Sequence, residues 1–166
     1  MPALTETSDD LRLALRRLAK AVVVISLVEE GERKALVVTA VSELSLDPPS
    51  MVVCVNRLAS LYPAMAKKTP FCLNILDADH EALAVRCVAE AQGEMRFGLG
   101  EWGVSDDGVP YLTDAQANMF CETRASLSHG SHDLFIAEVT GALTSGEVDP
   151  LIYTDGRYGR FAPHED

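Results

Sequence analysis

The sequence predicts a mainly β fold with helices, an antiparallel β-barrel of the α+β class. The prediction rests on five or six runs rich in Val, Ile and Leu, set against two or three segments of helical composition. Short polar turns join the early runs and favour antiparallel hairpins, although strand alternation fits a sandwich as well as a barrel. Hydrophobic residues make up 48% of the 166 positions, so a single domain spanning residues 1–166 can bury a core without disulfides or metal ions.

Residues 8–20 are predicted to form an opening helix. Leu11, Leu15 and Leu18 recur at i, i+4 and i+7, which is the spacing of one helix face. Acidic residues at the start of the segment and basic residues at its end complement the helix dipole.

Four strands are expected next. The first two, at residues 21–28 and 34–41, flank a polar turn that contains a glycine, so they are predicted to pair as a hairpin. A Pro-Pro pair interrupts the chain before a third strand at residues 51–55, and a fourth covers residues 71–76.

Helices and late strands complete the prediction. A short helix is expected over residues 60–68 and a longer one over residues 79–91, capped by Asp79. The apolar side chains available for packing on the longer helix are Leu83, Val85 and Val88. The later segments are a glycine-rich loop at residues 93–110 and strands at residues 117–128, 134–143 and 151–154.

The charge of the chain excludes several classes of partner. Its 25 acidic residues exceed its 14 lysines and arginines by 11. That excess repels nucleic acid and an anionic membrane surface, so we expect neither as a partner. No run of 18 apolar residues is present to span a membrane, and the acidic N-terminus lacks the basic region of a secretory signal. These features predict a cytoplasmic protein.

The four cysteines are widely spaced and form no Cys-x-x-Cys pair. They are Cys54, Cys72, Cys87 and Cys121, and three of them lie in apolar runs. Buried thiols in a reducing compartment are therefore expected, rather than a zinc or redox site.

The first candidate binding residues lie between Thr39 and the Pro-Pro pair. Thr39, Ser42 and Ser45 place three hydroxyl groups at a strand end, ahead of Asp47. Hydroxyl donors and free backbone N–H groups together suit a phosphate or the polar edge of a heteroaromatic ring. The alternative is a Ser/Thr-rich strand end that hydrogen-bonds to its own turn.

A second polar group follows the next predicted strand. Asn56 and Arg57 come directly after it, and Ser60 lies at the start of the short helix. The guanidinium of Arg57 can form charge-assisted bonds to a phosphate. Ser60 can equally be a simple helix cap.

The third group is His129-Gly130-Ser131-His132-Asp133. Two histidines three residues apart can bind a metal ion on a helix, but Gly130 and the flanking strand patterns indicate a turn here. A histidine that lines a pocket, or one that is solvated on a loop, is the better interpretation of His132. No nucleophile elbow, P-loop or Gly-x-Gly-x-x-Gly fingerprint is present.

Six stretches, in order, resemble motifs of the flavin reductase-like family. They are Ser42-Glu43-Leu44-Ser45-Leu46-Asp47-Pro48-Pro49, Asn56-Arg57 with Ser60, Phe71-Cys72-Leu73-Asn74-Ile75-Leu76, Arg96-Phe97 with Trp102, Gly130-Ser131-His132-Asp133-Leu134-Phe135-Ile136-Ala137-Glu138-Val139, and Pro150-Leu151-Ile152-Tyr153 with Gly156-Arg157-Tyr158. Members are small NAD(P)H:flavin oxidoreductases that serve two-component monooxygenases. The resemblance covers residues 11–161, nearly the whole chain.

This resemblance implies an FMN-binding split barrel, a Greek-key-like antiparallel barrel that forms homodimers with the flavin near the interface. The residues implied to contact the flavin phosphate, ribityl chain and ring are Thr39, Ala40, Val41, Ser42, Ser45 and Asp47, with Asn56, Arg57 and Ser60 at the phosphate end. His132 is implied to lie by the nicotinamide, as the catalytic candidate, with Tyr158 lining the same cleft.

The activity implied is hydride transfer from NADH or NADPH to FMN, or to FAD, with reduced flavin passing to a partner oxygenase. Hydride transfer needs two flat rings held in contact and no strong general base, which agrees with the missing catalytic triads. Two alternatives use the same barrel: a non-catalytic flavin- or haem-binding carrier or sensor, and an oxidase with tightly bound FMN.

Overall fold

The computed structural model describes residues 8–89 and 93–164. The helices in these ranges are α1 (Ser8–Leu15), α2 (Tyr62–Ala66) and α3 (Glu81–Ala89), with short 3₁₀ helices at Ala78–His80 and Glu94–Phe97. The strands are β1 (Lys20–Ala21), β2 (Val23–Glu29), β3 (Glu32–Val38), β4 (Val41–Leu46), β5 (Pro49–Asn56), β6 (Phe71–Ile75), β7 (Trp102–Val104), β8 (Pro110–Leu112), β9 (Ala117–His129), β10 (His132–Thr144), β11 (Leu151–Thr154) and β12 (Arg157–Arg160).

The strands form an antiparallel architecture, which confirms the predicted mainly β class with helices. The largest sheet has seven strands in the order β3-β2-β6-β9-β10-β5-β4. A three-stranded sheet has the order β1-β11-β12, and β7 pairs with β8. Neighbours in sequence form the hairpins β2–β3, β4–β5 and β9–β10. This order makes β4 an edge strand of the large sheet.

Strand β2 is buried on both faces and separates two hydrophobic clusters. Successive side chains of a strand point to opposite faces. Val23 and Ile25 accordingly belong to one cluster, with Phe71 and Phe135. Val22 and Val24 belong to the other, whose further members include Leu76, Leu83, Leu112 and Leu151. Burial on both faces explains why β2 carries apolar residues at consecutive positions, interrupted within the strand only by Ser26.

A buried asparagine links four segments of the chain. The Nδ2 of Asn74 donates to the carbonyl of Val24 at 2.7 Å and to Ser26 Oγ at 2.9 Å. Its Oδ1 accepts from the backbone N–H of Leu112 at 2.7 Å and from Asn118 Nδ2 at 2.9 Å. A fully buried amide needs partners for both ends, and here both ends have them.

The opening helix is shorter than predicted, and its leucine face is not buried. The helix ends at Leu15, and directly after it the carbonyl of Arg16 accepts a hydrogen bond from the backbone N–H of Asp155. Leu11 is 61% exposed and Leu18 55% exposed. The helical spacing therefore identified the helix but not a core contact.

The prediction for the longer helix was wrong at its start. Asp77, not Asp79, is the cap. Its carboxylate accepts a hydrogen bond from the backbone N–H of Asp79, and its own backbone N–H donates to Nδ1 of His80. Of the three apolar side chains predicted to pack, Leu83 is buried whereas Val85 and Val88 are exposed. Residues 90 and 91 of the predicted helix lie outside the described residues.

Two further segments differ from the prediction. The predicted strand at residues 34–41 is interrupted at Thr39, where the chain leaves β3 and begins the unpredicted strand β4. The predicted loop at 93–110 contains a 3₁₀ helix and β7, held by Trp102, whose Nε1 donates to the carbonyl of Leu99 at 2.8 Å. Among the described helices, none is long and apolar enough to cross a membrane.

Candidate flavin site

Three of the predicted site residues lie on one face of the large sheet. The strand register pairs Ser42 with Val52 and His132 with Asn56. Because side chains two residues apart on a strand share a face, these residues all point to the same side. We call this side the outer face; its members are Ser42, Val52, Cys54, Asn56, His132, Leu134 and Ile136.

Thr39 and Ala40 lie beside the end of β5. The carbonyl of Ala40 accepts a hydrogen bond from the backbone N–H of Cys54 at 2.9 Å, which keeps this connection against the sheet. Val41 pairs with buried Val53, so its side chain points to the opposite side from Ser42. The hydroxyl of Ser42 makes a long hydrogen bond of 3.2 Å to the neighbouring carbonyl of Glu43.

Arg57 lies at the corner where β5 meets the β9–β10 turn. Its backbone N–H donates to the carbonyl of Ser131 at 3.0 Å, and its guanidinium donates to the carbonyl of Gly130. Gly130 has a φ of +56°, the left-handed conformation that a tight hairpin turn requires. The turn predicted around Gly130 is confirmed, and it fixes the position of Arg57.

Tyr62 and Asp133 form a pair beside Arg57 that the sequence did not identify. Tyr62 Oη donates to Asp133 Oδ2 at 2.8 Å, and Asp133 Oδ1 lies 3.9 Å from Arg57 Nε. The hydrogen bond to Asp133 and partial burial raise the pKa of Tyr62 above its usual value, so the phenol stays protonated at neutral pH. Asp133 lies between the outer-face residues His132 and Leu134 on β10, so its side chain points to the opposite, buried side of the sheet.

An apolar cleft of about 440 Å³ opens beside the edge strand β4. Its walls are mostly apolar side chains from β2, β5, β6, β9 and β10, and its rim carries Ser42, Glu43 and Ser45 from β4. Cavities of this size and lining are typical of small-molecule sites. Since β4 is an edge strand, alternate backbone N–H groups along it have no strand partner and are available to a ligand.

Asp47 lies at the opposite end of the β4–β5 hairpin from Asn56. Its backbone N–H donates to Ser45 Oγ at 3.0 Å, so Ser45 and Asp47 form a local turn. The eight residues of β5, about 26 Å long at about 3.3 Å per residue, lie between Asp47 and Arg57. Ser42, paired with Val52, is nearer to Arg57, at about 16 Å.

Ser60 faces a different cavity, of about 580 Å³, lined also by Arg33, Lys34 and Arg96. Arg96 is 8% exposed; its guanidinium donates to the carbonyl of Ala35 and lies 3.5 Å from Ser60 Oγ. Arg96 belongs to one of the motifs that resemble the family, but it was not predicted to be a site residue.

Tyr158 lies apart from the other predicted site residues of the same chain. Its ring packs against Tyr153, with 5.1 Å between ring centroids, and against the second hydrophobic cluster. Among the described residues, no group of three or more His, Cys, Asp or Glu side chains is placed to hold a metal ion.

The arrangement fits an elongated ligand with an aromatic ring at one end and an anion at the other. An apolar cleft with a rim of hydroxyls and unpaired N–H groups accommodates a flat ring with polar edges. The backbone of Arg57 lies about 16 Å along the hairpin from Ser42, so the guanidinium would be available to the phosphate of a flavin mononucleotide bound along β5. The residues present are therefore compatible with a flavin.

Comparison with known proteins points to the same class of ligand. The chain is 35% identical over 157 residues to the FMN reductase (NADH) RutF of Variovorax paradoxus, covering 93% of this chain and 87% of that protein. It is 33% identical over 157 residues to the reductase component of an FADH(2)-dependent resorcinol hydroxylase of Rhizobium sp., covering 93% and 88%. A crystal structure of a flavin reductase domain protein from Arthrobacter sp. superposes with a TM-score of 0.88 at 26% identity, covering 96% and 99% of the two chains.

The family model of the flavin reductase like domain matches residues 15–162, which is most of the chain. That match agrees with the antiparallel sheet and with the ordered motifs along the sequence. The chain belongs to the flavin reductase-like family.

Proposed function

We propose that this chain is an NAD(P)H:flavin oxidoreductase that reduces FMN, and FAD as a second substrate, and releases reduced flavin to a separate flavin-dependent oxygenase. The observation that carries the proposal is the register that aligns Ser42, Asn56 and His132 on one face, with Arg57 at its corner. The relative named as an NADH-dependent FMN reductase supports the cofactor pair. The relative named as the reductase component of a hydroxylase supports the oxygenase partner.

The residues of the hairpin would hold the flavin from two ends. Hydroxyls and backbone N–H groups from Thr39, Ala40, Val41, Ser42 and Ser45 would bind the ring edge and ribityl chain, and Arg57 with Asn56 the phosphate. Ser60 and Asp47 lie further from this line in one chain, and their contacts with flavin remain predictions.

Bound flavin supplies the hydride acceptor, and the protein supplies orientation and electrostatic stabilisation. Backbone N–H groups along the edge strand β4 would stabilise the negative charge of a reduced flavin ring bound beside them. His132 stands on the outer face beside Asn56, with its ring held by a 2.9 Å contact to Ser131 Oγ, and would position the nicotinamide.

The test is aerobic oxidation of NADH and NADPH by the purified protein, with FMN, FAD or riboflavin added in turn. Turnover that saturates with added flavin supports a diffusible-flavin reductase and ranks both the flavins and the nicotinamides. Flavin binding by titration without turnover would instead support a carrier or sensor. A yellow protein that copurifies with flavin and ignores added flavin would support a dedicated oxidase.

A matched pair of histidine variants tests the role of His132. His129 pairs with His132 across the hairpin but lies one strand further from Asn56. His132→Ala is expected to lower kcat/KM for NADH about tenfold, equivalent to about 1.4 kcal/mol. His129→Ala should stay close to the parent enzyme, and equal losses in both variants would contradict the role of His132.

We also propose that the protein is a homodimer that covers the apolar part of the outer face. Val52, Cys54, Leu134 and Ile136 form a contiguous apolar surface there, and Leu127 on the adjoining strand β9 is 65% exposed. Exposed apolar surfaces of this kind are typical of protein interfaces.

We also propose a cytoplasmic location. Its support is the presence of four free cysteines, of which three are buried.

A further inference from the structure

Asp133 is a buried carboxylate whose charge is only partly compensated. The residue is 6% exposed, and its Oδ2 accepts one hydrogen bond, from Tyr62 Oη. Its Oδ1 is buried and accepts no hydrogen bond from any residue in the described ranges. A buried carboxylate oxygen without a donor is costly, and its presence needs an explanation.

The positive charge beside Asp133 belongs to Arg57, but the contact between them is loose. Asp133 Oδ1 and Arg57 Nε are 3.9 Å apart, which is beyond hydrogen-bond distance. The hydrogen bonds of Arg57 go instead to the carbonyls of Gly130 and Ser131. The β9–β10 turn therefore positions Arg57, and the effect of Asp133 on Arg57 is mainly electrostatic.

Arg57 consequently has an interior and an exterior side. Asp133 lies on the interior side, and the Arg57 side chain as a whole is 45% exposed. An anion arriving from solvent meets a guanidinium whose charge is already partly neutralised. It also meets the repulsion of the buried carboxylate behind it.

We propose that Asp133 is a specificity-determining residue, which shares the Arg57 guanidinium with the flavin phosphate and so limits the preference for phosphorylated flavins. The inference rests on the proposed function, which supplies flavin as the ligand. In this proposal Asp133 weakens the binding of a phosphate monoester group. It does not affect the contacts of the flavin ring or of the ribityl chain. Limited retention of FMN suits an enzyme whose reduced product must leave for a separate oxygenase.

The test is the ratio of dissociation constants for riboflavin and FMN, measured by flavin fluorescence titration. Asp133→Asn keeps the shape of the side chain and an acceptor for Tyr62 but removes the charge. We expect it to raise the preference for FMN about fivefold, with riboflavin binding unchanged. Asp106→Asn, at an exposed position between β7 and β8, removes the same charge elsewhere and should leave the ratio unchanged.

A second variant guards against a general loss of folding. Tyr62→Phe removes the hydrogen bond to Asp133 and leaves its charge less compensated, so Asp133 should attract Arg57 more strongly. We expect this variant to lower the preference for FMN, the opposite direction to Asp133→Asn. A misfolded variant would weaken both flavins together, and two variants that shift the ratio in the same direction would overturn the proposal.

A double-mutant cycle with Arg57→Gln shows whether Asp133 acts through the guanidinium. Most of the effect of Asp133→Asn should vanish in that background. An undiminished effect would overturn the sharing of Arg57. If the parent protein shows no preference for FMN and Arg57→Gln changes nothing, this inference fails, whereas NADH-dependent reduction of both flavins would still support the proposed activity.

Discussion

At the scale of single residues, Arg57 is the side chain most directly tied to ligand chemistry. Replacing it with alanine is expected to weaken FMN binding by about 1.5–3 kcal/mol, the usual contribution of a charged hydrogen bond. Riboflavin, which has no phosphate, should lose far less. Isothermal titration with the two flavins measures both values, and equal losses would exclude Arg57 from the phosphate site.

Asn74 has a structural role that can be tested independently of flavin. Asn74→Ala leaves the N–H of Leu112 and the carbonyl of Val24 without their side-chain partner in a fully buried position. We expect a loss of about 2–4 kcal/mol in the free energy of unfolding, measured by urea denaturation. Ser128→Ala removes an exposed hydroxyl from β9 and should change stability by less than about 0.5 kcal/mol.

The sequence predicted some site residues well and others not at all, for a physical reason. Asn56, Arg57 and His132 belong to short polar segments that follow or precede apolar strands, and strand pairing brings those segments together. Asp133 has an ordinary position in a strand, and only the register shows that it is buried beside Arg57. Arg96 reaches Ser60 across 36 positions of sequence, a contact that local patterns do not encode.

At the scale of elements, hairpins with strongly apolar strands were the most predictable features. The strand predicted at residues 151–154 has the observed bounds, and the strands on either side of Gly130 differ from prediction by a few residues. Strand β4 was missed because its pattern of burial is mostly exposed, as expected of an edge strand next to an open cleft. Its identity depends on pairing with β5 rather than on its own alternation.

Glu29 joins three elements and gives stability a predictable dependence on pH. Its carboxylate accepts from Lys34 Nζ on β3 at 2.5 Å and from Lys67 Nζ after α2 at 2.7 Å. The hydrogen bonds to Lys34 and Lys67 lower the pKa of Glu29 below its usual value of 4.5. Because the folded pKa is depressed, the stabilisation is complete above the unfolded pKa and is lost as pH falls through the folded one.

The expected outcome is a Glu29→Gln variant with a lower Tm than the parent at pH 7. The difference should persist down to the usual glutamate pKa and shrink at more acidic pH, where Glu29 of the parent also becomes protonated. Thermal melts by circular dichroism across this range measure it. Glu147→Gln, at an exposed turn, serves as the control, and a gap that widens in acid would contradict the assignment.

At the scale of the whole molecule, the outer face makes the proposed homodimer testable. Leu134→Glu introduces a charge at the centre of that face, where burial without a partner is unfavourable. The variant is expected to convert dimers to single chains, as measured by light scattering after size-exclusion chromatography. Val85→Glu changes an exposed apolar residue on α3 and should leave the oligomeric state unchanged.

The pairing of β1 with β11 has a consequence for synthesis in the cell. Lys20 pairs with Tyr153, and Arg16 bonds to Asp155, so two segments about 130 residues apart complete each other. Translation produces the first of these segments long before the second. On the ribosome, Lys20 and Arg16 must therefore wait without these partners until residues 151–155 have emerged, and a chaperone that shields emerging chains has a defined interval in which to act.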